Sequence, residues 1–586
     1  MNGQRQVLSL ALLMGILILL IQNSSAKSFF HHDKVEVRGI QVTTDKVACI
    51  GCVLTVSLVE QLSQIHNSSA KTAMELLCSY LPEKEGLRGI CTLIAEMFGP
   101  DIIRLLNFKL NADVICHTMK LCQIDSHQPA CHLYKEPEMG LKNSVKQAER
   151  LLKKPDYELK KHMEIVSGIL LKICSLPVFK KICEAIDSSE PAEDLDHDSF
   201  SVFPSLRGYH WRGKDCSDID KSVHPGRRPE DWDALYDSNC NGISGFDPED
   251  GVPYEKKFCE GTDAMGIVVL GDSASAHFHI PPEWVTPAQF SKDTFSNMAL
   301  TISNEFDWPQ FSMGTGFENS TIGGSTQSLY LKLRNRNRCN HRDYQNISRN
   351  GGSAGNLKNY LKSLARNQEI DKPVVVFYEL IGNDVCNNHA DTLKHMTTPA
   401  EMKADVMEDL QYLDTHLPNG SHVILMSLAD GRFLWDTLHD RYHPIGQLNK
   451  DVTYAQFYDF LSCLSINPCV GWMNKNGTIR NLTTERAEQL SNVLQDIATS
   501  QTFTHFKLNY YEHLYRKVIA KWKSLGGKPW DLLEPVDGFH PDQNASALGA
   551  DLLWEEAMQR WPGLFGKENP FNKEIIAKFG DQGGHW

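Results

Sequence analysis

Four short blocks of this sequence carry side chains that together could attack an acyl carbonyl. "VVLGDSASAHFHI" (Val268–Ile280) puts Ser273 straight after an apolar run and a Gly-Asp pair. A glycine-rich "RNGGSAGNL" follows, then Gly382-Asn383-Asp384, and near the end "VDGFHP" supplies Asp537 and His540. A serine hydroxyl becomes a nucleophile when a base takes its proton, a carboxylate orients that base and fixed donors hold the oxyanion. All of these parts are present, in separated segments that only a fold can bring together. One Gly-Asp-Ser alone carries little weight, because such tripeptides are common turns. The residue two past Ser273 is a serine, so the G-x-S-x-G elbow of α/β-hydrolases is absent.

The blocks sit where apolar runs end. "GIVVL", "PVVVFYELI" and "HVILMSL" are continuous and β-branched, as strands buried on both faces are. Between the last two, "TPAEMKADVMEDLQYLDTHL" reads as a helix. Thr398 is its N-cap, Pro399 stands at N1 and Glu401 completes a capping box, with Met402, Val406, Leu410 and Leu413 on one face. The expectation is a three-layer α/β/α domain over residues 254–586, with Ser273 at the carboxyl end of its first strand, where open sheets place ligands.

In this order the four blocks resemble the SGNH (GDSL) hydrolase family. The resemblance implies that Ser273 attacks an ester carbonyl, that His540 takes its proton and returns it to the leaving alcohol, and that Asp537 holds the imidazole. It implies an oxyanion hole built from the backbone N–H groups of Ser273 and Gly355 and the amide of Asn383, with Gly352 the other glycine the block allows. His277 and His279, two apart without a third ligand, read as pocket wall rather than as a metal site. Cys386 reads as a structural half-cystine.

The chain has 586 residues, enough for two or more domains, and its charge balance of 59 against 73 gives −14, which argues against general nucleic-acid binding. Its first 26 residues carry one arginine, an apolar run from Leu8 to Ile21 and small residues at Ser24 and Ala26. That is the layout of a signal peptide, with a retained anchor the alternative. Sixteen cysteines, together with Asn-x-Ser/Thr sites at Asn67, Asn319, Asn346, Asn419, Asn476, Asn481 and Asn544, fit an oxidising, glycosylating route to a secreted or lumenal destination.

Six cysteines cluster early, at Cys49, Cys52, Cys78, Cys91, Cys116 and Cys122, among amphipathic stretches such as "CVLTVSLVEQL" and "DIIRLLNFKL". Spacing leaves their pairing open. The C-x2-C, two middle cysteines and C-x5-C on helical text resemble the saposin family over residues 46–123. That resemblance implies nested disulfides, Cys49–Cys122, Cys52–Cys116 and Cys78–Cys91, and a helical leaf that opens its apolar interior to lipid. Residues 124–186 read as a linker and helical segment. Its Lys153/Lys154 and Lys160/Lys161 pairs suit either processing or a solvated helix face.

Carboxylates crowd residues 187–253. Asp237, Asn239, Asn241 and Ile243 match the opening half of an EF-hand loop, but its twelfth position is Pro248, so calcium there needs Asp247, Glu249 or Asp250 to complete it. Asp194, Asp196 and Asp198 form a second alternating set, and Asp215, Asp218, Asp220 and Asp233 add further oxygens. The expectation is structural calcium and no organic cofactor, against a solvated acidic linker. Joined, a saposin-like leader and an SGNH domain resemble secreted enzymes that take secondary acyl chains off the lipid A of bacterial lipopolysaccharide and mature into two disulfide-linked pieces. A phospholipase or broad lipase is the alternative, and a lipid carrier with a retired hydrolase domain a more distant one.

Overall fold

The computed structural model describes residues 37–83, 87–122, 130–152 and 177–585. The apolar leader, the two lysine pairs and Cys174 lie outside them. Five parallel strands form one sheet in the order β2-β1-β3-β4-β5. They are β1 (Gly266–Gly271), β2 (Tyr344–Asn346), β3 (Val374–Glu379), β4 (Ser421–Met426) and β5 (Phe506–Tyr511). The register runs Ile267 against Val375 and Val376 against Val423.

Because side chains alternate along a strand, each strand feeds two layers. Val268, Leu270, Val376 and Val423 enter one hydrophobic cluster, while Ile267, Val269, Val375 and Ile424 enter the other. Helices cover both faces, which is the three-layer arrangement. On the second face lie α7 (Leu329–Arg336), α11 (Leu514–Ser524) and α12 (Gln543–Arg560); on the first lie α8 (Pro399–Asp414) and α10 (Gly477–Ser500). In α8 the Thr398 hydroxyl accepts the Glu401 N–H, Pro399 sits at the first position, and Met402, Val406, Leu410 and Leu413 are buried.

The front domain is α1 (Val37–Ile65), α2 (Ala70–Ser79), α3 (Leu87–Asn107) and α4 (Ala112–Thr118). Disulfides join Cys49 to Cys122, Cys52 to Cys116 and Cys78 to Cys91. A further helix, α5 (Leu141–Leu152), lays Val145 and Ala148 into the same core. One finding differs from the open leaf that the saposin resemblance implies. The stretch "CVLTVSLVEQL" is core here: Val53, Val59 and Leu62 are fully covered. The first hydrophobic cluster runs without a break from these residues into the sheet. Gln61 donates to the Ile445 carbonyl at 2.6 Å, Tyr80 meets Phe290 edge to face, and Cys131 is bonded to Cys463.

Further disulfides join Cys216 to Cys240, Cys259 to Cys339 and Cys386 to Cys469, and no described cysteine is free. The sequon at Asn346 is a correction. This residue lies in β2 with its side chain buried and donating to the Ser275 carbonyl at 2.9 Å, so the folded chain cannot present it to a glycan.

Candidate active site

β1 ends at Gly271, where an added Cβ would fall 2.4 Å from Ser275 Oγ, so only glycine lets the chain turn this tightly. Asp272 then caps the short helix α6 (Ser273–Ala276), accepting the Ala274 N–H with one oxygen. Its other oxygen accepts the N–H groups of Ile381 and Gly382 at 2.9 and 3.2 Å. One buried carboxylate thus pins the serine turn to the exit of β3, a role the sequence did not disclose beyond its Gly-Asp-Ser.

Ser273 Oγ stands 2.7 Å from His540 Nε2, and His540 Nδ1 stands 2.5 Å from Asp537 Oδ2. Asp537 Oδ1 accepts the Phe539 and His540 N–H groups at 2.8 and 3.2 Å, which fixes the carboxylate against the ring. Phe278 packs 4.6 Å from the imidazole. The histidine loop is held from behind: Glu534 donates its N–H to the His540 carbonyl, and its carboxylate pairs with His279 at 2.7 Å. His279 is therefore engaged with glutamate. Burial pushes His277 down to about 3, a neutral ring against Ser546. Both are buried packing groups that stay outside the lining of the Ser273 cavity, a correction to their expected place in its wall.

Ser273, Asn383 and His540 line one narrow cavity of about 90 Å³. Its other walls are chiefly apolar, among them Phe433, Leu434, Trp472, Val518, Ile519 and Leu532. Gly355 is not brought there. It sits exposed in the helical turn Ala354–Leu357 with the Asp405 carboxylate its nearest neighbour. Gly352 is the buried glycine of that block, backed against the Gly271 carbonyl, but its N–H already serves the Arg349 carbonyl at 2.8 Å. A residue pattern cannot tell where the helical turn begins, and that start decides which glycine faces inward. The arrangement is a hydroxyl linked through an imidazole to a carboxylate, at the wall of an apolar chamber, which is equipment for acyl transfer from a lipid ester.

Residues 48–184 match the family described as "Saposin-like domain", and residues 267–553 match "GDSL-like Lipase/Acylhydrolase". The chain is 55% identical to a human acyloxyacyl hydrolase over 92% of its own length and 93% of the human protein. It is 55% identical to the mouse acyloxyacyl hydrolase over the same shares, and 54% identical to that of the rabbit over 93% and 94%. The chain belongs to the acyloxyacyl hydrolase family. It is an ester hydrolase of lipid substrates, built from a saposin-like domain and a GDSL domain.

In this acyloxyacyl hydrolase family member the acidic segment folds into two groups. Asp194, Asp196 and Asp218 offer oxygens within 4.8 Å of one another, and so do Asp196, Asp198 and Asp215. Both oxygens of Asp196 and one each of Asp198 and Asp215 are buried without a hydrogen-bond partner. Burial, added to by neighbouring carboxylates, pushes Asp198 up to about 8 and Asp215 up to about 6. Such orphaned, crowded oxygens fit a hard cation.

The second group holds Asp233, Asp237, Asn239 and Asn241. Asp237 accepts the N–H groups of Asn241 and Gly242, and the Ile243 N–H goes to Asn241 Oδ1. The carboxylate that closes this loop is Glu255, which accepts both asparagine amides at 3.0–3.2 Å. Glu255 lies seven residues past Pro248, beyond the EF-hand frame in which a closing acid was sought. Asp247 and Asp250 are instead paired with Lys257, and Asp220 folds back on the Ser222 hydroxyl at 2.8 Å, outside either group. These are corrections to the expected ligand set.

Proposed function

We propose that the chain hydrolyses acyloxyacyl esters, releasing secondary fatty acyl chains from the lipid A of bacterial lipopolysaccharide. The observation that carries this is the Ser273–His540–Asp537 linkage set in an apolar cavity. Ser273 Oγ adds to the ester carbonyl as His540 Nε2 takes its proton, and Asp537 keeps the other ring nitrogen protonated. The Ser273 N–H and the Asn383 side-chain amide, neither spent on another hydrogen bond among the described residues, receive the oxyanion. His540 then gives its proton to the departing alkoxide oxygen of the lower acyl chain. Water, deprotonated in turn by His540, adds to the acyl carbonyl, and His540 returns that proton to Ser273 Oγ as the fatty acid leaves.

Calcium is assigned to Asp194, Asp196, Asp198, Asp215 and Asp218 and, separately, to Asp233, Asp237, Asn239, Asn241 and Glu255, where it would fasten the segment before β1 and take no part in the proton transfers. Export through an oxidising pathway to the extracellular space or lysosome-like vesicles agrees with the disulfides. A cut in the chain between Cys131 and Cys463 would leave two pieces joined by that bond. The domain limits 46–123 and 254–586 are kept as the working division of labour between lipid handling and chemistry.

Mass spectrometry of lipid A before and after exposure tests the reading. Loss of secondary chains by the native protein and none by Ser273→Ala is the expected result. Turnover of phospholipid with lipid A untouched would make it a phospholipase instead.

A further inference from the structure

Three exposed side chains a few residues past Asn383 have the types and spacing of a metal site. The segment "NNHADTLKHM", residues 387–396, carries His389, Asp391 and His395. One ring nitrogen of each histidine and one carboxylate oxygen lie within 4.8 Å of one another. His395 Nε2 stands 3.0 Å from Asp391 Oδ1, and the two imidazoles stack face to face, with centroids 3.8 Å apart and planes 12° apart.

The backbone beneath them is fixed. Cys386, just before the segment, is bonded to Cys469. Asn388 donates to the Ser465 carbonyl, just past α9 (Tyr454–Cys463), at 2.9 Å, and the Val470 N–H donates to the Asn387 carbonyl at 3.0 Å. Asn387 also ties the segment to itself: its Oδ1 accepts the His389 N–H at 3.1 Å and its amide donates to the Thr392 carbonyl at 3.1 Å. The single turn Thr392–Lys394 is closed by the His395 N–H on the Thr392 carbonyl at 3.0 Å. Thr397 then brings the chain back, its N–H and hydroxyl donating to the main-chain carbonyl and Oδ1 of Asp384, each at 2.8 Å. Thr392 and Met396 are buried, whereas His389, Asp391 and His395 are exposed. The segment is therefore a loop closed at its base that holds donors from its two limbs within reach of one ion.

Burial does not account for the stacked rings, since both lie open to water, and aromatic pairs prefer an offset or edge-to-face arrangement to a close sandwich. A shared ion does account for it. Two imidazole nitrogens and a carboxylate oxygen are a donor set that suits zinc, whereas calcium takes oxygen ligands. The competing cation is Lys394, whose Nζ lies 3.4 Å from Asp391 Oδ2, but that side chain is 80% exposed and leaves Oδ1 to the imidazole.

We propose that His389, Asp391 and His395 bind one zinc ion, with water as the fourth ligand, and that the ion clasps the loop leading out of the Asn383-Asp384 block. The ion is structural: no step of acyl transfer passes through it, and the site stands independently of the ester chemistry.

The test is calorimetric titration of zinc into the full chain in excess calcium, which competes for the all-oxygen acidic groups before β1. The native protein should take up one zinc per chain, and so should His66→Ala, which removes an exposed histidine of the front domain. His389→Ala, Asp391→Ala and His395→Ala should each weaken binding tenfold or more. Zinc should raise the unfolding midpoint of the native chain and leave that of His389→Ala/His395→Ala unmoved, because an ion stabilises only the fold that binds it. A measurement on the native protein alone decides the matter even where a variant fails to fold. Zinc should shield His389 and His395 from carbethoxylation by diethyl pyrocarbonate, read by peptide mass spectrometry, and leave His66 reactive. No uptake by the native chain, binding that survives the histidine substitutions, or equal shielding of His66 overturns the site.

Discussion

Replacing Asp537 by Asn keeps the shape of the side chain and changes only which of its atoms can donate. Its Oδ2 lies 2.5 Å from His540 Nδ1, and its Oδ1 accepts two backbone N–H groups at 2.8 and 3.2 Å. An asparagine must turn its NH2 toward one of these sides. Turned to the backbone, it sets donors against donors and forfeits two hydrogen bonds, about 2 kcal/mol in all. Turned to the imidazole, it forces the proton onto Nε2, and that nitrogen then offers Ser273 a donor where a base is needed. The unproductive orientation is favoured roughly 30-fold on that difference, since each 1.36 kcal/mol is about a factor of ten. Loss of the negative charge beside the imidazolium removes more, and together they should lower kcat/KM by about 10⁴, or about 5.5 kcal/mol. The assay is hydrolysis of a short soluble ester from pH 5 to 9, with thermal unfolding as a check on the fold. A correctly folded Asp537→Asn protein within tenfold of the native rate would refute the assignment of orienting carboxylate and tautomer.

Asn383→Ala should lower kcat by 10²–10³, about 3 kcal/mol, with KM on a short ester little changed; an unaltered kcat would move the oxyanion donors elsewhere. Chelation of the purified protein should lower its melting temperature, because a ligand bound only by the folded state stabilises it, and added calcium should restore it. A chelator-insensitive melt with no metal by elemental analysis would return the acidic segment to a solvated linker. His443 is buried against Phe457, hydrogen-bonded to the Val536 carbonyl, and held down at about 4 by that burial. A depressed folded value means that its contribution is fully present above the ordinary histidine range and is lost as pH falls toward 4, by up to about 3 kcal/mol. His443→Gln should flatten that part of the acid limb in a pH series of unfolding midpoints, and an unchanged slope would assign it to other buried histidines.

What the sequence disclosed follows from where the physics is local. β1, β3 and β4 are unbroken apolar runs because both of their faces are covered, and α8 carries its start signals and its buried face within sixteen residues. β2 is three residues long, and its Gln345 is buried only because it bonds the Ala365 backbone in both directions. β5 is an edge strand with Lys507 in the open, so neither showed an apolar run. Ser273, Asp537 and His540 stood out because few residue types can do their work. Glu255 did not, since what makes it a partner for Asn239 and Asn241 is the packing of a later helix across the loop. Asn346 failed as a glycan site for the same reason: a sequon is local, and burial is not.

The front domain shows most clearly how the fold constrains the function. Drawing a twelve-carbon chain into water costs about 10 kcal/mol, at about 0.8 kcal/mol per methylene, so an enzyme of this kind must house the chain it cleaves. The stretch Ala48–Ile65 of α1 has a composition suited to lipid, yet most of it is buried against its own leaf and the hydrolase. Its apolar surface is already committed to the shared core that also carries Gln61 to Ile445. The apolar surface that reaches Ser273 in this conformation is the narrow cavity walled by Phe433, Trp472, Val518 and Leu532. The leaf still shows apolar groups to solvent at Ile65 and Phe108, 39% and 53% exposed, near the ends of α1 and α3. Because the two domains share one core, removing residues 46–123 would uncover the hydrolase as well as delete the leaf, so loss of activity in that truncation would report unfolding as readily as failed lipid docking.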